Sequence, residues 1–223
     1  MKFRLATWAL FFASFGYGQQ LFPKHYINLG PGIALPRGEI NQFFATRPAL
    51  TVNYNYRFHR YLQADAGYDV VFGAGQVREF LQTQLGTLRI RDFQHFVPLG
   101  GRGVIPLADG RVLISGGGGV VWMRYSDSLR QPNNFIRFAC PPCQSRSGWG
   151  NYGLVNVKFT NRWQRIWFGF TTKVIRGTTD GEPFANLPAT RTKDQWVNSY
   201  FEFGFGCRPR LREVACGDRR LCW

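Results

Sequence analysis

Residues 48–58 read PALTVNYNYRF, and this stretch decides the fold. Its apolar side chains are Leu50, Val52, Tyr54, Tyr56 and Phe58, and its polar side chains are Thr51, Asn53, Asn55 and Arg57. Strict alternation with a period of two indicates a β-strand that has one apolar and one polar face.

Seven further segments show the same alternation, so eight strands are predicted. They cover about residues 26–35, 48–58, 61–73, 93–105, 111–125, 150–159, 166–175 and 194–206. Short links follow the second, fourth and sixth strands, and longer links follow the first, third, fifth and seventh. The turn signal Ala108-Asp109-Gly110 joins the fourth strand to the fifth. All short turns therefore lie at one end of the structure and all long loops at the other.

This rhythm predicts an all-β protein, an eight-stranded antiparallel up-and-down transmembrane β-barrel with a short C-terminal tail. Only a closed ring of strands satisfies every backbone amide in lipid, and barrels of this kind have short periplasmic turns and long external loops. Aromatic girdles are expected on the apolar face near the strand ends. The candidates are Tyr56, Phe58, Tyr61, Tyr68, Phe72, Trp163, Trp167 and Phe205.

The chain divides into three predicted parts. Residues 1–18 have the basic start, apolar run and small residues of a cleaved signal peptide, and the run is too short for a membrane helix. Residues 19–206 form the barrel, and residues 207–223 form a tail rich in Cys and Arg, expected in the periplasm. Charged residues make up 18% of the chain, whereas a soluble domain carries about a quarter. The net charge of +15 suggests anionic partners, and in an exported protein these are lipid phosphates or cell-surface polymers rather than nucleic acid.

The leader, the eight strands and the last apolar-aromatic strand Ser199-Tyr-Phe-Glu-Phe-Gly-Phe205 resemble the family of small eight-stranded bacterial outer-membrane β-barrels of the OmpA/OmpX type. The resemblance covers nearly the whole mature chain and rests on pattern. The family's aromatic residue ends the chain, whereas here a tail follows the last strand. The resemblance implies an integral protein of a Gram-negative outer membrane.

The polar face carries charges of both signs, and an eight-stranded interior is just wide enough to be filled by side chains. Buried charges are costly unless paired, so a connected lumen network and a plugged barrel are predicted. Its members are Arg57, Asp65, Asp69, Arg102, Lys158, Lys173 and Glu202. The first pairings to expect are Arg57 with Asp65 or Asp69, and Arg102 with Glu202.

Five cysteines are candidates for disulfides in an oxidising compartment: Cys140, Cys143, Cys207, Cys216 and Cys222. Cys140-Pro-Pro-Cys143 lies in the longest external loop and predicts a small disulfide that pins the loop, although such spacing also occurs in redox and metal sites. Which tail cysteines pair is not deducible.

No catalytic residue, metal site or cofactor is predicted. Barrel enzymes that modify lipid A need a His–Ser pair near the outer rim. His95 lies on the expected side, but no serine stands two residues away, and its parity groups it with the lipid-facing Val97 and Leu99.

The sequence therefore predicts a monomeric, non-enzymatic outer-membrane barrel with a structural or adhesive role carried by its loops. Arg124, Arg130, Arg137 and Arg146 are expected to contact lipopolysaccharide phosphates or another polyanion, and the basic tail to contact the cell-wall polymer. Two alternatives stay open, a lipid A-modifying enzyme on the same barrel and an exported soluble carrier of the lipocalin type, whose apolar residues would face inward.

Overall fold

The computed structural model describes residues 23–76, 80–132, 135–161, 165–184, 187–188 and 190–207. The predicted signal peptide, Trp163 and all of the predicted tail beyond Cys207 lie outside the described residues. The strands are β1 (His25–Arg37), β2 (Arg47–His59), β3 (Leu62–Phe72), β4 (Phe80–Thr83), β5 (Gly86–Leu107), β6 (Val112–Leu129), β7 (Ser145–Thr160), β8 (Ile166–Gly181) and β9 (Thr192–Cys207).

Eight of these strands close into one antiparallel ring in the order β1-β2-β3-β5-β6-β7-β8-β9, with β9 pairing back onto β1. The paired residues can be followed from strand to strand around the ring. A path that starts at Ile27 on β1 returns to β1 at Arg37, so neighbouring strands are staggered along their length. A stagger of this kind means that the strands tilt relative to the barrel axis. The predicted eight-stranded barrel is confirmed.

The direction of the side chains is that of a membrane barrel. Along β2, Leu50, Val52 and Tyr54 are 47%, 52% and 43% exposed, whereas Thr51, Asn53 and Asn55 are buried inside the ring. A lipocalin-type carrier needs the opposite arrangement, because its apolar side chains line a cavity. The soluble-carrier alternative is therefore wrong for this fold.

Several strands run further than the sequence predicted. The fourth predicted strand begins at Gly86 rather than residue 93, and the seventh continues to Gly181 rather than residue 175. These extensions, together with those of β6 and β7, lie at the long-loop end. The extensions show no alternation of apolar and polar residues in the sequence, because polar residues such as Arg91, Thr178 and Asp180 also lie on the outward face. The additional strand β4 forms a small hairpin with the start of β5.

Short connections mark the opposite end. The Ala108–Gly110 turn joins β5 to β6, with φ of 49° at Ala108 and 56° at Asp109. The run Gly116–Gly119 lies within β6 and keeps its register, so it neither breaks nor bulges the strand.

The girdle candidates in the described residues lie on the outer wall, with the exception of Trp167. Tyr56, Phe58, Tyr61, Tyr68, Phe72 and Phe205 are exposed on the outer wall, as predicted. Trp167 is instead buried in the lumen, because it lies on the inward parity of β8 and its ring fits over Gly204.

Candidate functional site

All seven predicted charged residues lie buried inside the barrel: Arg57, Asp65, Asp69, Arg102, Lys158, Lys173 and Glu202. The structure pairs two of the cations directly with carboxylates. Lys173 Nζ lies 2.8 and 3.0 Å from the two carboxylate oxygens of Asp69, and it also donates to Asn53 Oδ1 at 3.0 Å. The Thr51 hydroxyl donates to the same Asp69 carboxylate. Asp69 thus has a cation and a hydroxyl as partners in the middle of the lumen.

A second ion pair lies closer to the short-turn end. Arg102 Nε donates to Asp65 Oδ1 at 3.1 Å, and the Tyr152 hydroxyl donates to Asp65 Oδ2 at 2.5 Å. The predicted pair of Arg102 with Glu202 is wrong, since Arg102 contacts Asp65. The alternation along a strand predicts that a side chain points into the lumen. It does not predict the position of that side chain along the barrel axis relative to the other strands, and this position decides which partner it contacts.

The other three charged residues rely on polar and aromatic neighbours. Glu202 accepts a hydrogen bond from Asn53 Nδ2 at 3.1 Å, and Arg57 donates to the Tyr26 hydroxyl at 3.1 Å. Lys158 Nζ donates to Asn28 Oδ1 at 3.3 Å and lies 5.2 Å from the ring centroid of Trp167. Asp65 and Asp69, the predicted partners of Arg57, bind Arg102 and Lys173.

The lumen contains a small cavity at the short-turn end. This cavity of about 10 Å³ lies between Tyr26, Arg57, Lys158 and Trp167. A space of that size holds at most about one water molecule.

Five aromatic side chains pack together in the lumen at its long-loop end, and we call them the aromatic plug: Phe44, Phe96, Tyr125, Phe184 and Trp196. All five are fully buried, and their ring centroids lie 5.5–6.4 Å apart in the tilted and edge-on contacts that aromatic pairs favour. Trp196 Nε1 donates to the Tyr125 hydroxyl at 2.9 Å, which in turn donates to Asp194 Oδ2 at 2.9 Å.

The aromatic plug is not apparent from the sequence. Phe44 and Phe184 come from the loops after β1 and β8, which fold inward over the barrel mouth. A loop phenylalanine carries no periodic signal, so the sequence gives no sign that these two side chains meet.

Arg146 fastens the β8–β9 connection over the plug. It is 2% exposed, and its guanidinium donates to the backbone oxygens of Thr179, Pro188 and Thr190 at 2.7–3.2 Å. The expectation that Arg146 contacts external phosphates is wrong, because β7 directs its side chain into the barrel. Arg124, Arg130 and Arg137 are exposed.

The β6–β7 loop holds the predicted cysteine pair. Cys140 and Cys143 form a disulfide in the structure, and the loop borders an open groove of about 640 Å³ lined by Asp127, Arg137 and both cysteines. Cys216 and Cys222 lie outside the described residues, and of Cys207 only the backbone is described. Within the described ranges no group of three or more His, Cys, Asp or Glu side chains is arranged to hold a metal ion.

His95 has partners that the sequence did not reveal. It lies on the outer wall, as predicted, and its Nδ1 lies 2.6 Å from the Tyr68 hydroxyl while its Nε2 lies 3.3 Å from Ser126 Oγ. The serine comes from the neighbouring strand, because β5 and β6 pair in a register that sets Phe93 opposite Ser126.

Comparison with solved structures supports this architecture. Neisserial surface protein A is similar, with a TM-score of 0.52, 9% sequence identity, and coverage of 82% of this chain and 97% of that one. The protein has the fold of a small outer-membrane barrel. The outer membrane protein OprG from Pseudomonas aeruginosa matches with a TM-score of 0.47 and 13% identity over 84% of this chain and 98% of that chain. Ail, the attachment invasion locus protein of Yersinia pestis solved with the heparin analogue sucrose octasulfate, gives a TM-score of 0.43 and 11% identity over 82% of this chain and 99% of that chain. No family model and no curated protein matches the sequence.

Proposed function

We propose that this chain is an integral outer-membrane protein that crosses the bilayer with its eight-stranded barrel. The observation that carries the proposal is the inverted distribution of side chains, apolar outside and charged inside, which is stable only in lipid. Large apolar side chains such as Val52, Phe170 and Phe203 are about half exposed on the outer wall. A soluble protein rarely exposes a continuous apolar surface of this extent.

Membrane fractionation tests the placement. After expression with its own leader in a Gram-negative host, the protein should remain in the pellet after alkaline carbonate washing and should sediment with the outer membrane. Recovery in the soluble periplasmic fraction would contradict the proposal.

In this placement the short turns face the periplasm and the long loops face outward, as in other barrels of this class. The signal peptide at residues 1–18 is removed during export, and the basic tail at 207–223 stays on the periplasmic side near the cell wall. Cleavage is checked by the mass of the mature chain, which should begin at Gln19.

We further propose that the barrel is plugged and has a structural and surface-interaction role, with no catalytic centre in its lumen. The charged pairs fill the middle of the lumen, and the aromatic plug fills the long-loop end. Purified protein in planar bilayers should therefore show no steady single-channel conductance above that of protein-free membranes. A large, stable conductance would refute the plugged lumen and leave the membrane placement intact.

The surface interaction is assigned to the exposed arginines of the long-loop end. Arg124, Arg130 and Arg137 are exposed toward the long-loop end, which faces outward in the proposed placement, and each such cation near an anionic surface contributes about 1 kcal/mol. We expect replacement of all three by alanine to weaken binding to lipopolysaccharide-containing vesicles and to reduce its salt dependence. Replacement of the buried Arg102 is not a suitable control, because that residue holds the lumen together. Arg111, exposed at the short-turn end, provides the matched control.

A further inference from the structure

The cluster of Tyr68, His95 and Ser126 on the outer wall has the geometry of a nucleophile with its base. The three residues come from three adjacent strands, β3, β5 and β6. His95 Nε2 lies 3.3 Å from Ser126 Oγ, and His95 Nδ1 lies 2.6 Å from the Tyr68 hydroxyl. An activated serine needs a base within hydrogen-bond reach, and that base needs a third group that orients it. The distance from serine to base in hydrolases without substrate is often slightly long.

The imidazole is held in place by its neighbours. The His95 ring stacks between the rings of Tyr68 and Phe93, with centroids 5.9 and 6.2 Å away and interplanar angles of 22° in both cases. In the tautomer in which Nδ1 donates to the Tyr68 oxygen, Nε2 carries no proton and faces Ser126 Oγ. The ring is therefore fixed in the orientation that a general base requires.

The position of the cluster identifies the class of substrate. β3 ends at Phe72, which pairs with Phe93, so the cluster stands at the long-loop margin of the apolar wall. Exposed Arg124 lies directly opposite His95 in the register. In a lipid layer, the ester carbonyls lie at the boundary where hydrocarbon gives way to charged headgroups. A serine at that boundary, with an arginine beside it, is placed to meet an acyl ester.

We propose that Ser126, His95 and Tyr68 form an ester-hydrolysing site on the lipid-facing wall, which removes ester-linked fatty acyl chains from lipids of the surrounding leaflet. The inference rests on the membrane placement proposed above, and it departs from the expectation of a protein without catalytic residues. Tyr68 is a positioning residue, and Ser126 and His95 are the catalytic residues.

The reaction proceeds in two balanced steps. Ser126 Oγ attacks the ester carbonyl while His95 Nε2 takes its proton, and the negative charge on the carbonyl oxygen is stabilised by the Arg124 guanidinium. The tetrahedral intermediate then breaks its bond to the alcohol, which leaves with the proton from His95. A water molecule, deprotonated by His95, attacks the acyl-serine and releases the fatty acid, and the proton returns to Ser126.

Covalent labelling tests the site without depending on the membrane. The refolded full chain in detergent micelles is treated with a fluorophosphonate that has a short alkyl chain, and the adduct is located by peptide mass spectrometry. Ser126 should carry the adduct in the natural protein. Labelling should disappear in Ser126→Ala and fall at least about 100-fold in His95→Gln, the scale of a lost general base. Ser147→Ala is the matched control, because Ser147 is an exposed serine opposite Arg124 on β7, and it should label as the natural protein does.

Tyr68→Phe separates positioning from binding. The maximal labelling rate should fall, while the probe concentration that gives half of that rate stays unchanged. All variants are first checked for the heat-dependent gel migration of a folded barrel, so a variant that does not fold is not scored. In that case the natural protein alone decides, since a folded natural protein without an adduct at Ser126 overturns the proposal.

Release of fatty acid then identifies the lipid. Mixed micelles with glycerophospholipid form one arm, and micelles with lipopolysaccharide form the other. Release in either arm that depends on Ser126 supports the proposal and names the source of the ester. Equal release by the natural protein and by Ser126→Ala in both arms overturns it, and carbonate extraction still decides the membrane placement separately.

Discussion

Lys173 and Asp69 show how a charge is accommodated inside this barrel. Both side chains are at most 1% exposed, and the amine has the carboxylate, Asn53 and Thr51 as partners. Removing one member of a buried pair leaves an uncompensated charge, which costs about 3–5 kcal/mol. Each member of the pair therefore depends on the other to remain charged inside the barrel.

We expect Lys173→Met to lower the free energy of unfolding by about 3–5 kcal/mol, because Asp69 is left buried without its cation. Urea unfolding in detergent or vesicles measures the change. Arg176→Met is the control, since Arg176 lies on the outward face of the same strand, and it should change stability by no more than about 0.5 kcal/mol. Equal effects of the two substitutions would show that the pair is not specifically required.

Gly204 is a single residue whose lack of a side chain is required by the packing of the lumen. A Cβ atom at this position would lie 2.2 Å from Trp167 Cε2, so only glycine leaves room for the indole. Gly204→Val should destabilise the barrel by about 1–3 kcal/mol through overpacking. Gly153→Val is the comparison, because a Cβ there meets nothing closer than 3.9 Å, and its stability should be kept or raised. If Gly204→Val left the free energy of unfolding unchanged, Trp167 would have to move out of the lumen at little cost in free energy.

Among the elements, the connections are held in place by different interactions from those that hold the strands. The strands are positioned by a continuous ladder of register pairs, whereas the β8–β9 connection is held by side chains. Phe184 and Leu187 lie buried at the mouth and exchange backbone hydrogen bonds of 3.1 and 2.7 Å, and Arg146 holds the neighbouring carbonyl oxygens of Pro188 and Thr190. One arginine thus holds a connection in which the described residues are paired with each other by one bridge, between Phe184 and Leu187.

Arg146→Met should release this connection without unfolding the ring. Hydrogen bonds to a charged group contribute about 1.5–3 kcal/mol each, so opening of the connection should become at least tenfold more frequent. Hydrogen exchange at the Leu187 amide, together with limited proteolysis after Phe184, measures that opening. Arg191→Met serves as the control, because Arg191 is exposed and donates to the Thr178 hydroxyl. Unchanged exchange at Leu187 in Arg146→Met would show that the plug residues alone hold the connection.

For the molecule as a whole, the apolar outer wall makes a depth-dependent prediction. Val52 lies near the middle of β2 and Phe58 lies one residue before its end. An arginine on the lipid face costs about 2–4 kcal/mol at the bilayer midplane and about 0–1 kcal/mol near the interface.

Val52→Arg should therefore lower the free energy of unfolding in lipid vesicles by about 2–4 kcal/mol, and Phe58→Arg by no more than about 1 kcal/mol. Chemical unfolding from vesicles measures both variants against the natural protein. In a barrel surrounded by water both substitutions would be tolerated equally, so a similar small effect at the two positions would contradict the transmembrane assignment.

The sequence by itself determined the ring, the two faces of each strand and the burial of the seven charged residues. All of these follow from the period of two, which is a local property of the backbone and needs no knowledge of other strands. The alternation does not predict the parts of the strands that extend beyond the apolar outer wall. The long-loop ends of β5 and β8 carry polar residues on both faces, so the sequence predicts loops there.

Only the tertiary structure decided which side chains meet. The stagger between strands sets the position of each residue along the barrel axis. That position is why Arg102 pairs with Asp65 rather than with Glu202, and why Ser126 lies beside His95. Loop conformation placed Phe44 and Phe184 in the barrel mouth and turned Arg146 toward their connection. Register and loop conformation are cooperative properties of the closed ring, because each depends on contacts between residues far apart in the chain, and no local pattern encodes them.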